Sequence, residues 1–99
     1  MAKVIITAQV QDPVKWEAGF RTHDDIFRTY TLRGSVHYAI TGNEVALYLE
    51  VDDLNTFQRA MDSQATIDAM ASDGAKRETA KIIVLDKEMK VDRASASRA

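Results

Sequence analysis

Cysteine is absent from this sequence, which excludes disulfide scaffolds, thiolate metal sites and cysteine nucleophiles. A charge excess of one sign is missing as well. Thirteen Lys and Arg are interspersed with fifteen Asp and Glu, for a net charge of −2. A nucleic-acid face needs concentrated Lys and Arg to release counterions from phosphate, so no nucleic-acid partner is expected. No stretch approaches the roughly 18 apolar residues of a membrane span, and the opening MAKVIITAQVQD lacks the apolar core of a signal peptide. A cytoplasmic protein without a membrane partner is the expectation. No glycine-rich nucleotide motif occurs, so flavin and nicotinamide lack a recognisable binding device.

What the chain does have is 45% apolar residues over 99 positions. That describes one domain, placed at residues 1–90, followed by a small, polar, aperiodic tail at 91–99. A chain this short buries a modest share of its surface, and a partner subunit would add to it.

Hydrophobic periodicity marks the elements. KVIITAQV (3–10) alternates with period two and is rich in β-branched residues, which predicts a strand. Asp12 before Pro13 is a helix start, and the helix is expected over 13–31, ending before Gly34. SVHYAITGNEVALYLEV (35–51) reads as a hairpin around Gly42-Asn43. Its register sets Tyr38 opposite Leu47 and His37 opposite Tyr48, with Val36–Leu49 and Ser35–Glu50 outermost. Asp53 caps a second helix (54–63), a shorter one follows at 64–72, and RETAKIIVLD (77–86) is the fourth strand.

This β-α-β-β-α-β order, with a hairpin in the middle and right-handed crossovers, predicts an α+β, ferredoxin-like fold. The four-stranded antiparallel sheet should have order 4-1-3-2 and helices on one face. Under the helices lie Val4, Ile6, Val10, Val36, Tyr38, Ile40, Val45, Leu47 and Leu49. The other face carries Ile5, Thr7, Ala39, Ala46 and Tyr48 with Gln9, His37 and Glu50, which is too apolar for a sheet meant only for water. Two copies packed face to face would bury it, so a homodimer through the sheet is expected.

The layout resembles the dimeric α/β-barrel superfamily, which includes antibiotic-biosynthesis monooxygenases, polyketide cyclases, muconolactone isomerases and heme-degrading enzymes. The resemblance rests on Lys15-Trp16, Phe20 and His23, on the hairpin, and on DSQATIDAMASDGA (62–75). That segment is similar to the S-P-x-x-x-x-x-M-x-x-x-G-V pattern before the final strand in many members, with Gln64 in place of proline and Ala75 in place of valine. It covers residues 3–88 and implies a paired barrel and a ligand space between helix and sheet. It also implies chemistry without a cofactor, in which a dry apolar pocket and one base suffice. Fold says little about reaction, because these folds host unrelated activities.

Candidate site residues follow. Trp16, Phe20, Phe27 and Tyr30 form an aromatic stripe on the first helix, and His23 falls within it. With Tyr38 and Leu47 from the sheet they would line a pocket for an apolar or aromatic small molecule. A histidine, with reference pKa about 6.5, serves as base or acid there, and Tyr38 would orient the substrate. The plainer alternative leaves His23 at the margin of the stripe, bonded to Asp24, Asp25 or a backbone carbonyl. His37 and Tyr48 form a cross-strand pair at the expected interface, either an acid–base pair or a structural contact. Asp24-Asp25 diverge by about 100° on a helix and Asp52-Asp53 read as loop and cap, so no metal site is expected. Arg21, Arg28 and Arg33 read as solvated helix and loop charges, with the alternative that Arg33 holds an acidic substrate group near the pocket mouth. The reading is a homodimeric, cofactor-independent acid–base enzyme performing oxygenation or cyclisation/isomerisation. The alternatives are a non-catalytic small-molecule-binding or stress-associated dimer, and a structural dimer with a filled core.

Overall fold

The structure is a computed structural model that describes residues 2–29 and 34–91. Tyr30, the expected helix end at Thr31, Arg33 and residues 92–99 of the expected tail lie outside the described residues. The elements run β1 (Ala2–Val10), α1 (Pro13–Phe20), α2 (Asp24–Thr29), β2 (His37–Thr41), β3 (Glu44–Val51), α3 (Leu54–Met61), α4 (Gln64–Asp73) and β4 (Ala75–Val84). The sheet has the order β2-β3-β1-β4, every neighbouring pair antiparallel, with the helices on one face. This is the ferredoxin-like α+β arrangement that the element order implies.

Alternation along β1 and β3 builds the core. Val4, Val10, Leu49 and Val51 are fully buried on the helix-covered face, with Ile6, Ala8, Val45 and Leu47 beside them, and Trp16 and Phe57 close over them. The hairpin register is as expected from Thr41↔Glu44 to His37↔Tyr48, where the ladder ends without the two outer pairs. Gly42 opens the two-residue turn with φ 58, a conformation that suits glycine.

The first helix differs from its expected form. Instead of one helix over 13–31 there are two, separated at 21–23. The turn is closed by tight bonds: the backbone N–H and the hydroxyl of Thr22 both donate to the Gly19 carbonyl (3.0 and 2.6 Å), and His23 N–H donates to the Phe20 carbonyl (3.0 Å). The His23 carbonyl then accepts from Ile26 N–H at 3.1 Å and starts α2. Glycine has poor helix propensity and threonine competes for backbone partners, so the chain bends here. Asp24 and Asp25 fall in the first turn of α2 and Arg28 in its last, in accord with the helix dipole.

Three caps read from sequence hold. Asp12 Oδ1 accepts from Val14 N–H at 3.0 Å, Asp53 Oδ1 accepts from Asn55 N–H at 3.0 Å, and Gly74 ends α4 with φ 79. The last strand begins two residues earlier than expected and carries an irregularity. Thr7 pairs with Lys81 but Gln9 pairs with Lys76, so β4 bulges between them. Thr79 fills the gap, its hydroxyl accepting from Gln9 N–H at 2.9 Å and donating to the Lys76 carbonyl at 2.6 Å.

A candidate acid–base site between helices and sheet

The aromatic stripe occupies the place that its spacing implies. Trp16 stacks on Phe20 with ring centroids 4.7 Å apart, and Phe20 meets Phe27 edge-on at 5.3 Å. These rings and Leu47 line a cavity of about 110 Å³ between the helices and the sheet, which also reaches His23. Much of the remaining wall comes from α3 and α4, with Phe57, Met61 and Met70 the largest contributors. A cavity touching His23 therefore exists, but it is smaller than the ~300–1,000 Å³ of drug-sized ligand sites.

The histidine's partner is Asp73, the last residue of α4. His23 Nε2 lies 3.0 Å from Asp73 Oδ2, and both side chains line the cavity. The ring nitrogen is fully buried, yet its N–H direction does not meet hydrogen-bond geometry with the carboxylate, and no other group supplies a bond among the described residues. The contact is thus a close approach of imidazole and carboxyl without an aligned hydrogen bond. Asp24 and Asp25, the partners considered from sequence, instead face Arg28 at 2.6 and 3.6 Å.

Asp73 is 6% exposed. Burial raises its carboxyl pKa above the ordinary value, and the nearby His23 and Lys15 offset part of that rise. The carboxylate can come this deep because α1 presents Gly19 at the crossing. A Cβ added there would stand 2.0 Å from Asp73 Oδ1 and 2.7 Å from its Cγ. Gly19 thus makes room for the acid, and the helix break after Phe20 brings His23 to it. Sequence reasoning missed Asp73, although one signal was present. A carboxylate in the last turn of a helix opposes the dipole, and such a local conflict often marks a functional position.

Tyr38 sits elsewhere. Its hydroxyl donates to Glu17 Oε2 at 2.6 Å and accepts from Arg21 Nη1 at 2.8 Å. Its ring packs edge-on against Trp16 and Phe20, at 5.8 and 5.3 Å between centroids. The structure does not bring it to the wall of the His23 cavity; it lines a separate, more polar depression with Arg21, Asp24 and Val36. His37 and Tyr48 face each other across the hairpin on the sheet face away from the helices, with ring centroids 6.3 Å apart. Ile5, Thr7, Ala46 and Tyr48 on that face are half-buried, and Ile83, opposite Ile5 on β4, is 46% exposed. Among the described residues, no cluster of three or more His, Asp or Glu is arranged to hold a metal, and no helix is long and apolar enough to cross a membrane.

With this geometry in view, the chain was compared with known proteins. No protein-family model matches it, and no curated protein matches. Solved structures do. The cofactor-independent oxygenase SnoaB from Streptomyces nogalater superposes with a TM-score of 0.67 at 12% identity, covering 91% of this chain and 95% of its own. An antibiotic biosynthesis monooxygenase superposes at 0.59 with 11% identity, covering 90% of this chain and 100% of its own. The fold is that of these monooxygenase structures, as the sequence resemblance implied. A de novo designed protein, Foldit4, superposes at 0.60 with 15% identity, covering 88% of this chain and 98% of its own. The same backbone thus exists without an evolved activity, so function has to be argued from the cavity.

Proposed function

We propose that this protein is a small homodimeric enzyme that abstracts a proton from an apolar or aromatic organic molecule without a cofactor. The observation that carries the proposal is the His23–Asp73 approach of 3.0 Å at the wall of an otherwise apolar cavity. A titratable pair in a largely apolar cleft is a common sign of acid–base work. His23 acts as the base. Asp73 touches it and stabilises the imidazolium that forms. Trp16, Phe20, Phe27 and Leu47 hold the substrate's apolar body. Tyr38 is a positioning residue: its bonds to Glu17 and Arg21 fix the ring against which Trp16 and Phe20 pack.

Proton removal leaves a carbanion against largely apolar walls. Return of the proton to a different carbon completes an isomerisation, with no net change in electrons. In oxygenation, dioxygen accepts the electron pair; one oxygen atom stays as a carbonyl where a CH₂ stood, and the other leaves as water with the two hydrogens. The SnoaB likeness supports this second course at the level of fold. The half-buried Ile5, Ala46 and Tyr48, with no helix over them among the described residues, support dimerisation through the sheet, where His37 and Tyr48 would lie at the interface.

One observation favours the binding-only alternative. His23 Nε2 is buried and faces Asp73 Oδ2 at 3.0 Å, so this nitrogen is not offered to a substrate proton, and on that reading the cavity only stores a ligand. Turnover separates the two readings. His23→Gln should lower the rate on a weakly acidic phenol or enol by about 10²–10⁴-fold, the usual contribution of general acid–base catalysis. An unchanged rate in that variant removes the base assignment.

A further inference from the structure

We infer that Phe27 is a gate between two hollows of a single ligand site, which takes an elongated, uncharged molecule with an apolar body and a carbonyl at its outer end. The inference rests on the reading of the inner cavity as the ligand space, and adds how that space is enlarged and what reaches it.

The inner cavity of about 110 Å³ and the outer depression of about 360 Å³ share a wall, since Phe20 and Phe27 line both. Their other walls differ: Trp16 and Met70 line the inner space, Arg21, Val36 and Tyr38 the outer one. The two shared rings are not held alike. Trp16, Phe20 and Tyr38 each touch the other two, with centroids 4.7, 5.3 and 5.8 Å apart. Tyr38 is fixed in turn by its bonds to Glu17 and Arg21. Among the described rings Phe27 meets Phe20 alone, edge-on at 5.3 Å. It stands on α2, six residues long and set off from α1 by the break at 21–23. A helix this short is not stable by itself, and the bonds of Arg28 to Asp24 and Asp25 run within it. Moving Phe27 therefore disturbs one ring contact, whereas moving Phe20 disturbs three. With Phe27 turned aside, the volume of its ring joins the two hollows.

Polarity sets the direction in which a ligand lies. In the inner space His23 Nε2 and Asp73 Oδ2 face each other at 3.0 Å, and most of the remaining wall is apolar. An apolar body belongs there. In the outer space Arg21 gives one N–H to Tyr38 at 2.8 Å, and a guanidinium has further N–H groups for an acceptor. The acids Glu17 and Asp24 balance the bases Arg21 and Arg28 around this depression. A carboxylate gains no net attraction from that balance, so a neutral carbonyl suits the outer end.

The test is a titration of the full chain with benzylacetone, followed at the methyl signals of Met70 and Val36, which lie on the two sides of Phe27. Both should shift with one dissociation constant. Association, read from NMR line shapes, should quicken by roughly tenfold in Phe27→Ala, because a conformational step slows binding, and should slow in Phe27→Trp. Phe27→Leu keeps an apolar anchor for α2 and should quicken association as well. Arg21→Gln should weaken benzylacetone roughly tenfold and leave butylbenzene, which lacks the carbonyl, unchanged. A shift confined to one of the two methyls, or two different dissociation constants, overturns the inference. So does an association rate that no Phe27 variant alters, or undiminished benzylacetone binding in Arg21→Gln. Shared shifts with no turnover of any phenol or enol refute the enzymatic reading and leave the gate standing. Turnover lost in His23→Gln, with association unaltered in every Phe27 variant, does the reverse.

Discussion

Replacing Gly19 with alanine isolates the contact on which the site depends. Gly19 lies near the end of α1, outside the cavity wall, and its helical conformation accepts any residue. Taken alone, Gly→Ala in a helix gains about 0.5–1 kcal/mol. The new Cβ would stand 2.0 Å from Asp73 Oδ1, however. Asp73 is buried, so the helices must part or the carboxylate must swing away from His23 into the cavity that both line. Overpacking of this kind costs about 1–3 kcal/mol. The loss outweighs the propensity gain, and Gly19→Ala should destabilise the protein by about 1 kcal/mol. In an Asp73→Ala background the clash is gone, and the same change should stabilise by about 0.5–1 kcal/mol. Urea denaturation of the four proteins in the cycle measures the coupling, expected at about 1–3 kcal/mol. A stabilising Gly19→Ala of equal size in both backgrounds would refute the close approach of Asp73, and with it the geometry of the site.

Other outcomes follow from the same contacts. The folded Asp73 carboxyl holds its proton more tightly than the unfolded one, whose ordinary pKa is 3.8. Its contribution to stability is therefore complete below that pH and falls as pH rises through the folded pKa; Asp73→Asn should remove this decline from a urea-midpoint profile taken from pH 3 upward. Tyr38→Phe deletes the bonds to Glu17 and Arg21 and should cost about 1 kcal/mol of stability, while lowering turnover far less than His23→Gln. Ala46→Arg puts a charge on the sheet face away from the helices and should give a monomer by light scattering, where the native chain should run as a dimer at micromolar concentration. A monomeric native protein contradicts pairing through the sheet.

The sheet was legible because its signals are local. Period-two alternation and a Gly-Asn turn are written into consecutive residues, and they fix the hairpin register down to His37↔Tyr48. The stripe of Trp16, Phe20 and Phe27 was legible for the same reason, as was the placing of Leu47 on the cavity wall. The break at 21–23 was not, because aromatic residues recur at helical spacing on either side of it. What ends α1 is a set of bonds to the Gly19 carbonyl together with the packing of α4, and the latter lies fifty residues away. Asp73 was hidden by the same distance. Nothing near position 73 announces His23, and the pair arises only when Gly19 lets two helices touch. Tyr38 shows the converse: its face was read correctly, but its hydroxyl is directed by Glu17 and Arg21, whose reach no periodicity reveals.

Proton abstraction by His23 is the central claim, and deuterium incorporation tests it without knowledge of the later steps. Resorcinol in D₂O exchanges a ring hydrogen by taking up a deuteron at carbon and then losing the proton from that same carbon, the step proposed for His23, and proton NMR follows the loss of signal. The native chain should accelerate the exchange by about 10²-fold or more over buffer, and His23→Gln should return it to the buffer rate. Exchange at the native rate in His23→Gln, or none above buffer in the native protein despite saturable binding, would contradict the account.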